Sequence, residues 1–290
     1  MSAPEPPCVY FLSDYGLEDE FVGVVHAVLH RLAPGLAVVD LTHLVRPFDV
    51  RAGGLALWRA APHLGPGVVL AVVDPGVGTD RRCAALEVAS ATGPRFWVGP
   101  DNGLLLPGAE SLGPLTGAVS LSRPESAGSG ATTFDGRDVF APAAAALAVG
   151  GSLSALDPAS HPAPLPTDRL VRPAPLVLDE RVVDGRLVLR TEVPWVDRFG
   201  NVQLSVDAAH LAARPQDLRV AAGSNTWTAR RVEAFGELRP QEVGVLPDAN
   251  GRLALAADRG RADHLLGVAE GDVVELSWQV GGAVLPVRSE

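Results

Sequence analysis

The chain has 290 residues, a length at which two domains are expected. With 47% apolar and 20% charged residues, its composition excludes a disordered or fibrous protein. All 24 basic residues are arginine, which excludes Schiff-base chemistry on lysine and the lysine-dependent phosphate loop of nucleotide-triphosphate enzymes. The net charge of −10 argues against a nucleic-acid binder, because phosphate contacts need a concentrated basic surface.

Membrane and secretion signals are missing from the amino-acid pattern. No apolar run reaches the ~18–20 residues that span a bilayer. The first residues lack the basic segment followed by an apolar segment that is typical of a signal peptide. Cys8 and Cys83 are too few for a disulfide framework or a four-cysteine metal site. We therefore expect a cytoplasmic protein with no membrane partner.

The first half of the chain alternates between strand and helix patterns. Helical spacing of apolar residues alternates with short β-branched runs, and Val68 to Val73 is an uninterrupted run typical of a strand covered on both faces. The predicted strands are 9–13, 36–41, 68–73, 83–89 and 96–98, and the predicted helices are 18–32, 50–61 and 139–147. This alternation predicts an α/β sandwich with a largely parallel sheet over residues 1–160.

The pattern changes after about residue 150. Residues 161–176 carry several prolines and predict a stiff, extended linker. Beyond it, Asp184-Gly185 favours a hairpin turn, and short strands are predicted at 202–206, 218–222, 253–256, 273–278 and 284–287. We therefore expect a second domain over residues 177–290 that folds as a small β-barrel.

Two acids stand where a predicted strand stops: Asp14 after the first strand and Asp74 after the third. Ligands of open α/β sheets bind outside the carboxyl ends of the strands, so both are site candidates. The alternative is that each acid only initiates a turn. Arg81 follows Asp74 by seven residues in a Gly-rich loop, and an Asp–Arg pair would hold the carboxylate ionised in a fixed orientation. A simple surface ion pair is the alternative for this pair.

Two further polar clusters lie later in the chain. In the segment Thr133 to Asp138, Asp135 stands beside a glycine, whereas Asp138 suits the acidic first turn of a helix. In the segment Asp197 to Asn201, Phe199 next to a carboxylate and an amide suits a planar base with polar edges. A turn flanked by core aromatic residues is the alternative for this second cluster.

The sequence gives little support for a metal site or for a serine hydrolase. His26 and His30 are four residues apart on one predicted helix, but neither an H-E-x-x-H motif nor a nearby cysteine accompanies them. We interpret both as residues of a helix face. The chain also lacks the G-x-S-x-G motif of a serine nucleophile. No metal or organic cofactor is predicted.

Several segments together resemble the S-adenosyl-L-methionine (SAM) hydrolases, also called SAM hydroxide adenosyltransferases, which are relatives of fluorinase and chlorinase. The blocks D-P-G-V-G-T and F-G-N are the most specific. The matching segments occur in the family's order over nearly the whole chain: 11–16, 42–43, 47–50, 71–79, 98–103, 133–142 and 197–201.

The resemblance implies a homotrimer of two-domain subunits, with sites between neighbouring subunits. It also implies attack of water or hydroxide on the ribose C5′ of SAM, which yields adenosine and methionine without a cofactor. Asp14 then matches the acid that binds the ribose hydroxyls, and Phe48 an aromatic residue near the sugar. Asp197 matches the acid that meets the methionine ammonium, and Asn201 the amide that reads the adenine edge.

The same resemblance separates hydrolases from halogenases. Hydrolases keep an acid and an arginine at the spacing of Asp74 and Arg81, whereas halogenating relatives carry another residue at the acid's position and lack the arginine. A carboxylate orients a water molecule but repels a halide ion. The sequence therefore favours the hydrolase.

Two departures from the family pattern leave other functions open. The family reads F-H-G-R-D where this chain has Asp135 in place of the histidine, and two nearby carboxylates raise one pKa unless Arg81 or Arg137 intervenes. Ala249 and Ala254 replace a serine and a glutamate that help hold the amino-acid end. The alternatives are a non-catalytic adenosine or SAM binding protein, or nucleophilic substitution on another 5′-substituted adenosine.

Overall fold

A computed structural model describes residues 8–123, 133–150, 152–156, 162–211 and 216–279. The chain divides into two compact units, Met1–Pro173 and Ala174–Glu290. The division point lies inside the predicted linker 161–176, whose bounds stay a prediction. Among the described helices, none is long and apolar enough to cross a bilayer.

The first unit is a sheet with helices on both faces. Its strands are β1 (Cys8–Ser13), β2 (Ala37–Thr42), β3 (Val68–Val72), β4 (Cys83–Val88), β5 (Phe96–Pro100), β6 (Leu115–Leu121) and β7 (Ala163–Pro164), in the spatial order β2-β1-β3-β5-β4-β6-β7. Its helices are α1 (Phe21–Leu32), α2 (Val50–Ala60), α3 (Leu106–Leu112) and α4 (Ala141–Gly150), the last preceded by a π-helical turn over Gly136–Phe140. Short 3₁₀ turns cover Ala61–His63, Leu153–Ala155 and Thr167–Arg169.

Successive residues of the central strands point to opposite faces of the sheet and pack in two separate apolar cores. Phe11 packs in one apolar cluster with Leu29 of α1 and Leu147 of α4, whereas Leu12 belongs to a second cluster with Leu57 of α2. This alternation is the period of a strand buried on both sides. The predicted sandwich of helices on a central sheet is therefore present in the first unit.

The first sheet is mixed, which corrects the expectation of a largely parallel sheet. The pairings β2–β1, β1–β3 and β3–β5 are parallel, whereas β5–β4, β4–β6 and β6–β7 are antiparallel. The reason is the connection after β3. A parallel strand needs a crossover of a dozen or more residues, usually a helix, and residues 73–82 are a short loop without one. The chain therefore reverses, and β4 runs against its neighbours.

The second unit is built mainly of strands. They are β8 (Leu178–Val183), β9 (Arg186–Glu192), β10 (Trp195–Val196), β11 (Val202–Asp207), β12 (Asp217–Ala222), β13 (Asn225–Arg231), β14 (Val243–Pro247), β15 (Arg252–Ala257) and β16 (Val273–Gln279), with the short helix α5 (Ala262–Leu266). Turns of 3₁₀ helix cover Ala208–Leu211 and Phe235–Glu237. The predicted hairpin at Asp184-Gly185 joins β8 to β9.

The described strands of the second unit form one sheet in the order β10-β11-β15-β14-β13-β12-β16-β9-β8. Within these strands no pairing joins β10 to β8, so a closed barrel is not confirmed. The predicted strand 284–287 lies outside the described residues.

Candidate active site

The carboxyl ends of the parallel strands β1 and β3 meet at one edge of the sheet. Asp14 directly follows β1, and its backbone N–H donates to Val72 O of β3 over 3.3 Å. Asp74 lies two residues beyond β3. An open cavity of about 260 Å³ lies at this edge, lined by Asp14, Tyr15, Phe21, Pro47, Phe48, Val72, Asp74, Val77, Thr133, Phe134, Asp135 and Gly136. The structure thus brings the sequence-predicted residues Asp14, Phe48, Asp74 and Asp135 to one cavity.

Asp74 and Arg81 form a two-pronged ion pair across the loop that follows β3. Arg81 Nε donates to Asp74 Oδ1 over 3.0 Å, and its Nη2 donates to Oδ2. Only 6% of the Asp74 side chain and 8% of the Arg81 side chain are exposed. The loop is braced by Thr79, whose hydroxyl donates to Gly76 O over 2.7 Å. Because both ends of the pair are buried and bidentate, the carboxylate is fixed in orientation, and the surface-pair alternative does not apply.

Asp135 lies against the same arginine and a second one. Arg81 Nη2 donates to Asp135 Oδ2 over 2.7 Å. Arg123 approaches the other side, with its Nη2 2.8 Å from Oδ2 and its Nε 3.0 Å from Oδ1. Arg123 Nη1 also donates to Thr79 O over 3.0 Å. Two buried carboxylates and two guanidinium groups therefore form a charge-balanced cluster, here called the Asp–Arg cluster (Asp74, Arg81, Arg123 and Asp135).

Arg123 is a residue that the sequence did not reveal. It lies two residues beyond β6, outside every motif, whereas Arg137 seemed the available second cation. In the structure Arg137 instead pairs with Asp138 through bonds of 2.7 and 2.8 Å at the surface. A charge count could have indicated the missing partner, because Asp74 and Asp135 present two negative charges and Arg81 only one positive charge.

The two carboxylates have opposite electrostatic surroundings. Burial raises the pKa of Asp74 above its usual value, and the charge of Asp135 adds to this rise beyond what Arg81 offsets. Burial also acts to raise the pKa of Asp135, but hydrogen bonds from Arg123 and Arg81 outweigh it, so that pKa is lowered. The two carboxylates therefore differ in their affinity for a proton: Asp135 stays ionised, and Asp74 is the better proton acceptor.

Cys83 completes the surroundings of the Asp–Arg cluster. Its Sγ accepts from Arg81 Nη1 over 3.0 Å. Burial raises the pKa of its thiol to about 11, so the sulfur stays protonated and unreactive.

Asp14 and Phe48 are linked by a backbone hydrogen bond. Phe48 N–H donates to Asp14 Oδ2 over 2.8 Å. Phe48 has φ 69°, a left-handed conformation that is rare for a bulky side chain, and 72% of the residue is exposed. Strained backbone of this kind persists where the surroundings hold it and is concentrated at ligand sites. The aromatic ring therefore projects beside the Asp14 carboxylate.

Tyr15 is a second residue that the sequence did not single out. Its ring packs edge-on with Phe134 at 5.7 Å between centroids and lies 5.6 Å from Phe21, which gives the cavity an aromatic wall. Burial and the charges of nearby carboxylates raise the pKa of its phenol, which keeps the hydroxyl protonated as a donor. A methyl group added at Gly136 would overlap the Tyr15 hydroxyl, so the glycine is required for this packing.

The segment Asp197 to Asn201 forms a tight loop in the second unit. Asp197 Oδ1 accepts from the backbone N–H groups of Phe199 and Asn201 over 2.8 and 2.9 Å. Its Oδ2 accepts from Asn201 Nδ2 over 2.7 Å. Phe199 is 73% exposed. The loop is therefore a turn that also exposes an aromatic ring, and the bond to Asp197 holds the Asn201 side-chain amide in place.

A larger cavity of about 840 Å³ opens beside this loop. It is lined by Phe199, Asn201, Phe235, Gly236, Leu238, Ala257, Asp258, Arg259, Gly260 and Arg261. Arg261 Nη1 donates to Arg198 O over 3.0 Å, which ties the loop to the residues after β15. The cavity thus presents an exposed ring and polar edges within one unit.

Ala249 and Ala254, which depart from the family pattern, belong to a turn and to a buried strand. Ala254 lies in β15 and is 4% exposed. Asp248 accepts backbone hydrogen bonds from Asn250 and Arg252, each over 2.8 Å, and closes the turn that carries Ala249. The side chains of Ala249 and Ala254 have no hydrogen-bonding atoms to offer a ligand.

Sequence and structure comparisons identify the family. The N-terminal domain model of the SAM hydroxide adenosyltransferases matches residues 9–157, and the C-terminal domain model matches residues 191–275. A protein of Salinispora tropica called (R)-S-adenosyl-L-methionine hydrolase is 47% identical over 92% of this chain and 96% of its own length. A protein of the same name from Thermus thermophilus is 43% identical over 92% of this chain and 98% of its own.

A crystal structure of an uncharacterised conserved protein from Thermotoga maritima has the same fold. Its TM-score is 0.78 at 33% identity, over 92% of this chain and 99% of that one. Fold and site define a two-unit mixed α/β protein with a buried Asp–Arg pair beside a small-molecule cavity. The chain belongs to the SAM hydroxide adenosyltransferase family.

Replacing Arg123 by alanine tests the charge balance of the cluster. Asp135 keeps only Arg81, so we expect a loss of about 2–3 kcal/mol in the free energy of unfolding at neutral pH, below the ~3–5 kcal/mol of a fully orphaned buried charge. The pKa of Asp135 lies below its usual value in the folded protein, so its contribution is present at neutral pH and is lost as the pH falls through that value. The loss in the free energy of unfolding caused by Arg123→Ala should therefore be smaller at acidic pH. Urea unfolding at neutral and acidic pH measures this loss and its dependence on pH.

Arg137→Ala is the matched control, because Arg137 pairs with Asp138 at the surface. We expect it to cost no more than ~1 kcal/mol. Equal losses in the two variants, or a deficit for Arg123→Ala that does not change with pH, would contradict the assigned role of Arg123.

Proposed function

We propose that the protein hydrolyses SAM to adenosine and L-methionine. The observation that carries the proposal is the Asp74 carboxylate, fixed by Arg81 at a cavity that Asp14 and Phe48 also line. The family membership and the names of the similar Salinispora and Thermus proteins support it. There are two alternatives, a non-catalytic binding protein and an enzyme that catalyses substitution on another 5′-substituted adenosine. The products that the purified protein forms distinguish them from SAM hydrolysis.

The reaction is a substitution at the ribose C5′. A water oxygen held by Asp74 forms the new C5′–O bond as the C5′–S bond breaks, and the electron pair of that bond stays on sulfur, which becomes the neutral thioether of methionine. The proton of the water passes to Asp74 and then to solvent. Sulfonium is already a good leaving group, so the protein has to position and partly dehydrate the nucleophile.

Asp135 stands where the family pattern has a histidine, and Arg123 pairs with it. Asp135 stays ionised between two arginines and adds a negative charge near Asp74, which raises the basicity of Asp74. We therefore propose that Asp74 accepts the proton, Arg81 orients Asp74, and Asp135 orients Arg81. The same two carboxylates disfavour a halide ion in the cavity, which favours water as the nucleophile.

The remaining predicted residues are proposed to bind the substrate. Asp14 accepts hydrogen bonds from the ribose hydroxyls beside the Phe48 ring. Phe199 stacks on the adenine while Asn201 contacts its edge, and Asp197 meets the methionine ammonium. We propose a homotrimer in which the first unit of one subunit and the second unit of a neighbour complete each site. The cytoplasmic location stays a prediction.

The Asp74→Asn variant tests the proposed reaction. The amide keeps the shape of the carboxylate but cannot accept the proton, so we expect adenosine release to fall by about 10²–10⁴-fold. Chromatography of purified protein incubated with SAM, in the absence of halide, measures it. Asp80→Asn removes an exposed acid of the same loop and should leave the rate unchanged.

Unchanged turnover by Asp74→Asn would overturn the role of Asp74. A wild-type protein that binds adenosine and forms no product would instead establish the binding-protein alternative. Turnover of another 5′-substituted adenosine with none of SAM would establish the second alternative.

The pH dependence of turnover should reveal the charge of Asp135. Asp74 must be ionised to accept a proton, so activity is lost as the pH falls through its pKa, which burial and the charge of Asp135 raise above the usual value. Asp135→Asn removes the negative charge that raises this pKa, and the acid limb of the rate profile should move to lower pH. A limb that stays in place or moves to higher pH would contradict the coupling. Circular dichroism at each pH controls for unfolding.

Mixing two inactive variants tests the shared site. Asp74→Asn impairs the first unit and Asn201→Ala the second, and a mixed trimer contains some sites with neither change. Co-expression should therefore restore about a quarter of wild-type activity if the chains assemble at random. Activity no greater than the sum of the two separate variants, or a monomer in light scattering, would contradict a site completed by a neighbour.

A further inference from the structure

Three residues with metal-binding side chains meet on the first unit and take no part in the proposed reaction. His26 lies on α1, Asp40 in β2, and His43 directly after β2. One ligand atom from each lies within 4.8 Å of the others. Residues 3, 14 and 17 positions apart along the chain therefore converge through the packing of α1 on the sheet. The sequence pairs His26 with His30 instead, but the structure turns His26 toward Asp40.

The distances match those between neighbouring ligands of one ion. His26 Nε2 lies 2.8 Å and His43 Nε2 lies 3.1 Å from the same Asp40 oxygen, Oδ1. Bonds of 2.0–2.2 Å from a metal to nitrogen and oxygen place neighbouring ligand atoms about 2.8–3.1 Å apart at the 90° angles of an octahedral ion and about 3.3–3.6 Å apart at tetrahedral angles. Both imidazoles thus present the same nitrogen to one carboxylate, and small rotations admit an ion among them.

His43 provides an independent sign of a missing ligand. Its side chain is 3% exposed, and Nε2 is buried without a partner in hydrogen-bonding alignment among the described residues. A buried polar atom in this state costs free energy unless a ligand satisfies it. His43 Nε2 is directed toward the same point as the other two donors.

The opposite nitrogen of His43 is already held in the manner of a metal ligand. His43 Nδ1 lies 2.8 Å from Ser13 Oγ at the end of β1, and the Phe11 ring packs edge-on at 4.6 Å. Histidines that bind metals usually donate their second N–H to an oxygen, which fixes the tautomer and the ring. In the tautomer that donates Nδ1–H to Ser13 Oγ, Nε2 carries the lone pair that a metal ion requires.

We propose that His26, Asp40 and His43 bind a divalent transition-metal ion of the zinc type. Two imidazole nitrogens and one carboxylate suit Zn²⁺ and its neighbours, whereas Mg²⁺ and Ca²⁺ prefer oxygen ligands alone. His26 and Asp40 have side chains 28% and 41% exposed, so water fills the remaining positions of the ion.

The site connects to the loop that carries Asp14. Gly16 N–H donates to His43 O over 2.8 Å, and Tyr15 N–H donates to Ser13 Oγ over 3.3 Å. An ion that holds His43 therefore also stabilises the turn between Ser13 and Gly16. The role of the ion is structural, since its ligands do not line the cavity of the Asp–Arg cluster.

Calorimetric titration of chelator-treated, full-length protein with Zn²⁺ tests the proposal without any substrate. We expect one ion per chain and a higher melting temperature with the ion. His26→Ala removes a partly buried ligand and should weaken binding by more than the ~10–100-fold that loss of an outer-shell partner costs. His30→Ala, on the same helix with its ring 6.4 Å from that of His26, should bind like the wild type.

Replacement of Zn²⁺ by Co²⁺ adds a spectroscopic readout. We expect visible absorption from Co²⁺ bound to nitrogen ligands in the wild type and in His30→Ala, and its loss in His26→Ala. Absence of Zn²⁺ binding by the wild type, or equal affinity and equal Co²⁺ absorption in wild type and His26→Ala, would overturn the site. Hydrolysis of SAM plays no part in either readout, so its failure would leave this test intact.

Discussion

Two buried carboxylates that require two positive charges organise this protein's active edge. Asp74 and Asp135 lie in a setting where an unpaired charge is costly, and Arg81 and Arg123 neutralise them through bonds from three separate chain segments. The loop between β3 and β4 is drawn back by Arg81 and braced from outside by the bond of Arg123 to Thr79. The same loop is too short for a crossover helix, and so β4 runs antiparallel. The loop between β3 and β4 therefore both carries the Asp74–Arg81 pair and reverses the direction of the chain.

The sequence predicted those features that depend on local patterns. The strand ends at Asp14 and Asp74, the pairing of Asp74 with Arg81 and the turn at Asp197 all follow from residues within a few positions of one another. Arg123 and the packing of Tyr15 against Gly136 arise from contacts between distant segments, which no periodicity reports. The expectation of a largely parallel sheet is wrong because a buried apolar strand such as Cys83–Val88 shows the same pattern in parallel and antiparallel pairings.

An aspartate at position 135, where the family pattern has a histidine, changes the charge of the site, whereas the Asp74–Arg81 pair is kept. An added carboxylate would repel Asp74 and become protonated if it stood alone. Arg123 removes that conflict, so Asp135 stays ionised and its charge instead makes Asp74 a stronger base. Asp135 is thus accommodated in this chain by Arg123 and Arg81. A relative with aspartate at this position is expected to carry the arginine as well.

Tracing the oxygen atom is the most direct test of water attack at C5′. The protein would be incubated with SAM in water labelled with heavy oxygen, and both products would be examined by mass spectrometry. The account predicts that one heavy oxygen enters adenosine at the 5′ position and that methionine carries none. Unlabelled adenosine, or heavy oxygen in the methionine fragment, would contradict the claim that a water fixed by Asp74 displaces the sulfonium.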